Sequence, residues 1–367
     1  MGAAIPRYLG GIETQLVTLA RGLAEVGCRV SLVTYDHGQA DGEVFDGVAV
    51  FKAYRPHAGI RVLRGFSRMT SVWKAMRQAD ADVYLQMGAG AETGWVALGC
   101  RMISPTRRFV FCLASNANYA AHLRSGFLGW EGRFYRCGLR SADLVVAQTN
   151  EQRRGLRERT GIESRVIPMA IAQPEQQLDG AARNRVLWIG RISRTKRLEW
   201  LLDAAEQCPE LEFDVVGSPN TSDEYVVDLL TRAEVIPNMT IHGRVSAAEL
   251  NRVYGSTRVL CCTSQLEGFP TSFLEAWSRA IPVITTFDPD GIVTRYGLGA
   301  VVHSVDELSA HLRQIMNDSA WHSALGTAAR RYFEENHTNA VVSQRFREQF
   351  EHLQNGTCET LAVPSLS

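Results

Sequence analysis

Two hydrophobic periods alternate along the chain. From Gly11 the segment GIETQLVTLARGLAEVG places Ile12, Leu16, Leu19, Ala20 and Leu23 at helical spacing, ends at Gly27, and gives way to the strand-like run RVSLVTY. Residues three and four apart share one face of a helix, whereas a short run rich in β-branched residues reads as a strand. The same switch recurs at ADVYLQM (81–87), RFVFCLA (108–114), ADLVVAQT (142–149) and SRVIPMA (164–170), with helical stretches between. Residues 171–184, IAQPEQQLDGAARN, lose the periodicity and read as a polar linker. A second series follows at RVLWIG (185–190), LEFDVVG (211–217), MTIHG (239–243), RVLCCTS (258–264) and IPVITT (281–286). Strands alternating with helices predict parallel sheets covered on both faces, so the chain reads as α/β, with two doubly wound domains at 1–170 and 185–335. ELSAHLRQIM and AVVSQRFREQFEHL read as closing helices. The second lies in a segment, 336–354, expected to pack back toward the N-terminal domain, and 355–367 reads as a disordered tail.

Composition narrows the class only a little. A chain of 367 residues exceeds one ordinary core, so two domains and a cleft are expected. With 45% apolar and 21% charged residues the chain is globular, which excludes disordered and fibrous classes. The formal charge is zero, but residues 1–170 carry 22 Lys and Arg against 14 Asp and Glu, and the remainder 17 against 25. A basic half suits an anionic partner such as a lipid surface or a phosphorylated acceptor; uneven solvated surfaces are the alternative. The eight cysteines lack C-x-x-C spacing, and several sit in apolar runs, which predicts buried free thiols in a reducing compartment. No apolar run reaches the roughly 18 residues of a membrane span, and MGAAIPRYLGG has no signal core, so a cytoplasmic protein is expected.

Ligands of open parallel sheets bind beyond the carboxyl ends of the strands, in the loops that precede helices. Four such loops carry candidate chemistry. Gly10-Gly11 opens the first helix and lets an anionic group approach its backbone amides, unless it is a plain turn. No G-x-G-x-x-G follows a strand, which argues against a dinucleotide site. The loop GRISRTKR sets Arg191 and Lys196 five residues apart beyond a strand, a pairing that suits a diphosphate or a solvated basic loop. In EGFPTSFLEAW, Ser272 and Glu275 match a capping box, so Glu275 reads as structural or functional. Glu267 precedes Gly268 and the helix start at Phe269, where it can accept hydrogen bonds from a polyhydroxylated ligand. The fourth loop, DPDGIVTRYG (288–297), reads as a turn.

Two basic segments face the same kind of choice. RVLRGFSRMTSVWKAMRQ (61–78) sets Val62, Phe66, Met69, Trp73 and Met76 on one helical face with five basic residues elsewhere, and 122–140 is also basic and aromatic. Each is a core-facing helix with a solvated basic side, or an amphipathic surface for anionic membrane and a lipid-linked acceptor. No nucleic-acid motif accompanies the charge.

In combination, GGIE near the start, GRISRTKR, and the Glu-x7-Glu motif EGFPTSFLE followed by IPVI resemble, in order and over nearly the whole chain, the retaining glycosyltransferases of the GT-B fold, family 4. The resemblance implies two Rossmann-like domains facing a cleft, a nucleoside-diphosphate-sugar donor, a glycan or lipid-linked acceptor, and no metal or other cofactor. Carried over by position, Arg191 and Lys196 neutralise the donor diphosphate and the Gly11 amide approaches it. Glu275 binds the ribose hydroxyls, and Glu267 contacts the sugar ring and is catalytic together with the two cations. Gly190, Gly268, Phe269, Pro270 and Thr271 complete the donor site. Three departures stand out. Only MGAAIPRYL precedes the Gly-Gly loop, where the family has an apolar first strand, so that strand is expected to be truncated. SNANY replaces a His-Asp-like pair, which makes Asn116 and Asn118 candidate sugar or acceptor contacts, and DPDGIV replaces a Gly-Gly loop. A non-catalytic paralogue and a sugar-nucleotide epimerase of similar fold are the alternatives. The paired Glu-x7-Glu and GR…K loops favour transfer.

Overall fold

The computed structural model describes residues 11–55, 64–120, 129–172, 183–218, 222–265 and 267–355. The chain forms two compact units, Met1–Ala170 together with Asn339–Ser367, and Ile171–Thr338. In the first unit the strands are β1 (Val30–Thr34), β2 (Glu43–Phe45), β3 (Val48–Lys52), β4 (Val83–Met87), β5 (Arg108–Cys112), β6 (Leu144–Ala147) and β7 (Arg165–Val166). They pair in the orders β1-β3-β2 and β4-β5-β6-β7, parallel except for β2 with β3. Among the described residues β1 pairs only with β3, and β4 only with β5. The segment expected to lack a first strand, residues 1–10, lies outside the described residues.

The alternation of β5 sorts its side chains between two cores. Phe109 and Phe111 join Leu113, Tyr135 and Leu156 on one face. On the other face Val110 and Cys112 meet Val146, Leu19 and Leu23, the last two from the helix Gly11–Glu25. The closing helix Asn339–Asn355 adds Val342 and Phe346 to this second cluster, which places it in the first unit. The β2–β3 hairpin was not anticipated. Its turn is Asp46-Gly47, with φ of 49° and 78°, a left-handed pair whose twist matches the flanking strands.

The helix Arg64–Ala79 buries Val72, Ala75 and Met76, while Phe66, assigned by spacing to the apolar face, is 67% exposed. The buried stripe is rotated by roughly a quarter-turn from the expected one, because the helix packs through positions 72, 75 and 76. Val62 lies outside the described residues.

The second unit holds one six-stranded parallel sheet, β8 (Arg185–Ile189), β9 (Glu212–Val216), β10 (Met239–Gly243), β11 (Thr257–Cys262), β12 (Val283–Thr285) and β13 (Gly299–Val301), in the order β10-β9-β8-β11-β12-β13. Val186, Trp188, Phe213, Val215, Val259, Cys261 and Ile284 are buried in one cluster. Strands covered on both faces read as unbroken apolar runs, which is why five of these six were legible. β13, three residues long, was not. The chain steps outward from β8 to β10 and then returns to β11 on the other side of β8, so the strand order reverses between β8 and β11. At the unit's margin Ile171 bridges Thr338.

The cysteines of the described residues are free; five are buried and Cys137 is exposed. Among the described residues no helix is long and apolar enough to cross a membrane.

Candidate active site

A reversal of strand order leaves a crevice at the carboxyl ends of the two strands that flank it. The loops after β8 and β11 leave the sheet there; three hydrogen bonds sew them together and a fourth ties them to β8 itself. The Thr263 hydroxyl donates to the Lys196 carbonyl at 2.7 Å, and the Gln265 amide to the Thr195 carbonyl at 2.8 Å. Trp188 Nε1 donates to the Thr263 hydroxyl at 3.0 Å, and Arg197 Nε to the Thr263 carbonyl at 2.8 Å. Arg197 is in the left-handed region at φ 47°, a conformation that costs a non-glycine residue about 1 kcal/mol or more. Its guanidinium also lies 4.3 Å over the Trp200 ring, so that group is held both by a carbonyl and by an aromatic face.

Gly190 directly follows β8, with its amide bonded to the Val216 carbonyl at 3.0 Å. A Cβ on Gly217 would lie 1.9 Å from the Gly190 carbonyl oxygen, so the end of β9 backs this loop too closely for any side chain. Arg191 is exposed and has no polar partner among the described residues. Lys196 closes the short 3-10 turn Arg194–Lys196, and its Nζ forms an ion pair with Glu267 Oε1. Ser264 Oγ donates to the same oxygen at 2.7 Å. The Lys196 and Glu267 side chains are 26% and 15% exposed. The cation and the first glutamate of the motif, 71 residues apart in sequence, thus neutralise one another at the mouth of the crevice.

The second glutamate is placed differently from the capping-box expectation. The helix Thr271–Trp277 begins directly after Pro270, and no side chain caps it. Proline at the cap has its φ preset and no N–H to satisfy, so the helix starts ahead of Ser272 and carries that serine inside the first turn. The capping box forms at Ser246 and Glu249 instead. Glu275 Oε2 accepts a hydrogen bond from the Tyr254 hydroxyl at 2.8 Å. Burial holds the Glu275 carboxyl above the usual carboxylate range, while Tyr254 and Arg279 pull it down. Tyr254 is 1% exposed, and burial and the glutamate together push its hydroxyl well up.

The remaining candidates divide between backbone and packing. The Phe269 ring stands 5.4 Å from His337 and 6.2 Å from Trp277, so its side chain serves an aromatic cluster and leaves only backbone for a ligand. Gly268 is partly buried, and Thr271 is exposed at the helix start. Asp288 caps the helix Ile292–Tyr296 through the amides of Val293 at 2.8 Å and Thr294 at 3.1 Å, so DPDG is a turn with a capping role.

In the first unit Gly11 opens its helix, while Gly10 lies outside the described residues. Asn118 is 8% exposed, and its Oδ1 accepts from the amides of Ala114 at 2.6 Å and Ser115 at 3.1 Å, so that oxygen closes its own loop. Asn116 Nδ2 donates to Glu151 Oε1 at 3.2 Å. Thr263, Ser264, Gly217 and Tyr254 were missed by sequence reading. They hold other residues rather than announce a motif, and only the pairing of β8 with β9 and β11 brings them near.

An unpartnered arginine, a lysine shared with a carboxylate, and a second carboxylate presented from a helix together suit a ligand that is anionic at one end and hydroxylated at the other. The family model for glycosyl transferases group 1 matches residues 172–332, and that for glycosyltransferase family 4 matches residues 9–172. The chain is 28% identical over 180 residues to the O-antigen chain mannosyltransferase B of Escherichia coli, covering 46% of this chain and 47% of that protein. It is 25% identical over 224 residues to the D-inositol 3-phosphate glycosyltransferase of Nocardiopsis dassonvillei, covering 52% of each. With the GtfA subunit of the UDP-N-acetylglucosamine–peptide N-acetylglucosaminyltransferase of Streptococcus pneumoniae it shares 24% over 153 residues, 39% of this chain and 30% of that one. These curated relatives are therefore matched over about half their length or less. Among solved structures, a sucrose-phosphate synthase from Thermosynechococcus elongatus superposes with a TM-score of 0.72 at 19% identity, covering 95% of this chain and 94% of that one. Anabaena HepE in complex with UDP-glucose gives 0.67 at 15%, covering 95% and 98%. At such identities the likeness is one of fold. Since the two family models meet at residue 172, beside the boundary where the second unit begins, the chain belongs to the glycosyltransferases of group 1, family 4, and has their GT-B fold of two parallel-sheet α/β domains.

Proposed function

We propose that the protein is a retaining glycosyltransferase that moves a sugar from a nucleoside-diphosphate sugar to a glycan or lipid-linked acceptor during polysaccharide or glycoconjugate synthesis. The observation that carries this reading is the ion pair of Lys196 with Glu267 beside the switch point, with Lys196 already held by the carboxylate it would exchange for phosphate and Arg191 exposed in the same loop. Two relatives are a mannosyltransferase and a glycosyltransferase by name, and the Anabaena structure holds UDP-glucose.

In this mechanism Arg191 grips the diphosphate and Lys196 leaves Glu267 for a phosphate oxygen. Glu267, still tethered by Ser264, turns to the sugar ring, and Glu275 takes the ribose hydroxyls. The bond from the anomeric carbon to the diphosphate breaks, and the leaving diphosphate accepts the acceptor's proton. The acceptor oxygen then bonds to the same face of the sugar, which retains configuration. Two cations offset the charge that develops on the leaving group, so transfer is expected to persist in EDTA. Loss of Lys196 to alanine is expected to lower turnover by about 100-fold or more, measured as labelled sugar transferred.

The direct test is thermal unfolding with UDP, GDP, ADP and TDP, repeated on the Arg191→Ala, Lys196→Ala double variant. A ligand at 100 times its dissociation constant adds about 2.7 kcal/mol, a visible shift in midpoint. One nucleotide should stabilise the native protein and not the variant. No shift with any of the four would overturn the donor assignment.

A further inference from the structure

We propose that Tyr254 is a positioning residue for nucleotide recognition, pinning one oxygen of the Glu275 carboxylate so that the other is presented to the vicinal hydroxyls of the donor's ribose. This rests on the nucleotide-sugar reading above.

Tyr254 lies near the end of the helix Ala247–Ser256 and is 1% exposed, whereas Glu275 remains partly exposed. The tyrosine therefore holds the carboxylate from the buried side. Its hydroxyl reaches Oε2 at 2.8 Å, and among the described residues no other hydrogen bond reaches this carboxylate. A carboxylate is free to turn about its last torsion, because that torsion is broad and two-fold. Gripping two adjacent hydroxyls requires that torsion to be set beforehand, and one short charge-assisted bond from a fixed donor sets it.

The donor is itself fixed. The Arg279 guanidinium lies 4.4 Å over the Tyr254 ring, its Nη1 donates to the Glu275 carbonyl at 2.8 Å, and its Nη2 donates to Asn251 Oδ1 at 2.5 Å. Tyr254, Glu275 and Arg279 thus close a ring of contacts that joins two helices flanking β11. A bland account of the same bond exists, in which tyrosine and glutamate merely tie those helices together. The two accounts differ in what ribose chemistry does.

The test is calorimetric binding of UDP, GDP and ADP and of their 2′-deoxy forms to the wild type and to Tyr254→Phe, which keeps the ring and its contact with Arg279. Removal of the hydroxyl is expected to weaken the preferred ribonucleotide about tenfold while leaving its 2′-deoxy form within about twofold, so that discrimination collapses. Combined with Glu275→Gln, it should add little further. A Tyr254→Phe variant with a lowered unfolding midpoint but unchanged discrimination makes the bond a tie only and overturns the proposal. If that variant does not fold, Glu275→Asp, which keeps the charge but withdraws it from Tyr254, must lose the same discrimination or the proposal fails. Wild type that binds a ribonucleotide and its 2′-deoxy form equally removes the ribose role and leaves the donor reading standing. Wild type that binds none of the six removes the ribose role, and removes the donor reading as well unless TDP binds.

Discussion

Glu267 shows how much a single side chain in this site does at once. It accepts from Ser264 and shares its charge with Lys196, so under the proposed function a diphosphate would have to compete with it for the same cation. Glu267→Gln removes that competition. Nucleoside diphosphate should then bind several-fold tighter by calorimetry while sugar transfer falls by about 100-fold or more, and weaker binding together with slower transfer would contradict the exchange. Glu275 supplies a pH test. Burial raises its pKa above the ordinary value of 4.5, so between that value and the raised one the folded state binds more protons than the unfolded. The stability tied to its protonated form is present below the ordinary pKa and lost as pH rises through the raised one. At neutral pH the charge on this largely desolvated, partly exposed carboxylate is a net burden, and Glu275→Gln should raise the unfolding midpoint there, with the gain shrinking as pH falls toward 4.5. A gain independent of pH would refute that origin. The two glutamates and the two cations were visible in the sequence as candidates because they stand just beyond strands. Thr263, Ser264 and Tyr254 could not, since each acts through a neighbour that lies far away in sequence.

At the level of elements, a close backbone-to-backbone seam in the first unit joins the helices Glu92–Ile103 and Trp130–Arg140. A Cβ on Gly94 would lie 2.5 Å from the Phe134 carbonyl oxygen, and one on Gly138 would lie 2.5 Å from backbone atoms of Thr93. Backbone cannot swing aside as a side chain can, so Gly138→Ala should force the helices apart and cost about 1–3 kcal/mol, read as a lower urea midpoint. An unchanged midpoint would show that the seam is looser than drawn. Elements buried on both faces were legible because burial demands an unbroken apolar run. The β2–β3 hairpin was signalled by Asp46-Gly47 between alternating apolar residues and was overlooked. The capping box at Ser272 failed because a proline at the cap moved the helix start, which a four-residue pattern does not register.

For the whole molecule, the closing helix matters most, because it returns to the unit in which the chain began. Phe346 is 4% exposed in the cluster with Leu19, Leu23 and Val110. Phe346→Ala should cost that unit about 3–5 kcal/mol in denaturant unfolding, while the nucleotide dissociation constant, which the proposed site would set mainly from second-unit side chains, stays within about twofold. A large loss of nucleotide affinity would show that the two units are not energetically separate.

Hydrophobic period and loop position were enough to indicate two parallel-sheet units and their boundary near residue 171, and to place Arg191, Lys196, Glu267 and Glu275 just beyond strands, because each of these features is encoded within a few neighbouring positions. Strand order was left to the tertiary structure, and with it the pairing of Lys196 with Glu267 and of Tyr254 with Glu275. Those contacts join segments 71 and 21 residues apart, and no local pattern encodes which strand ends become neighbours until the sheet has assembled.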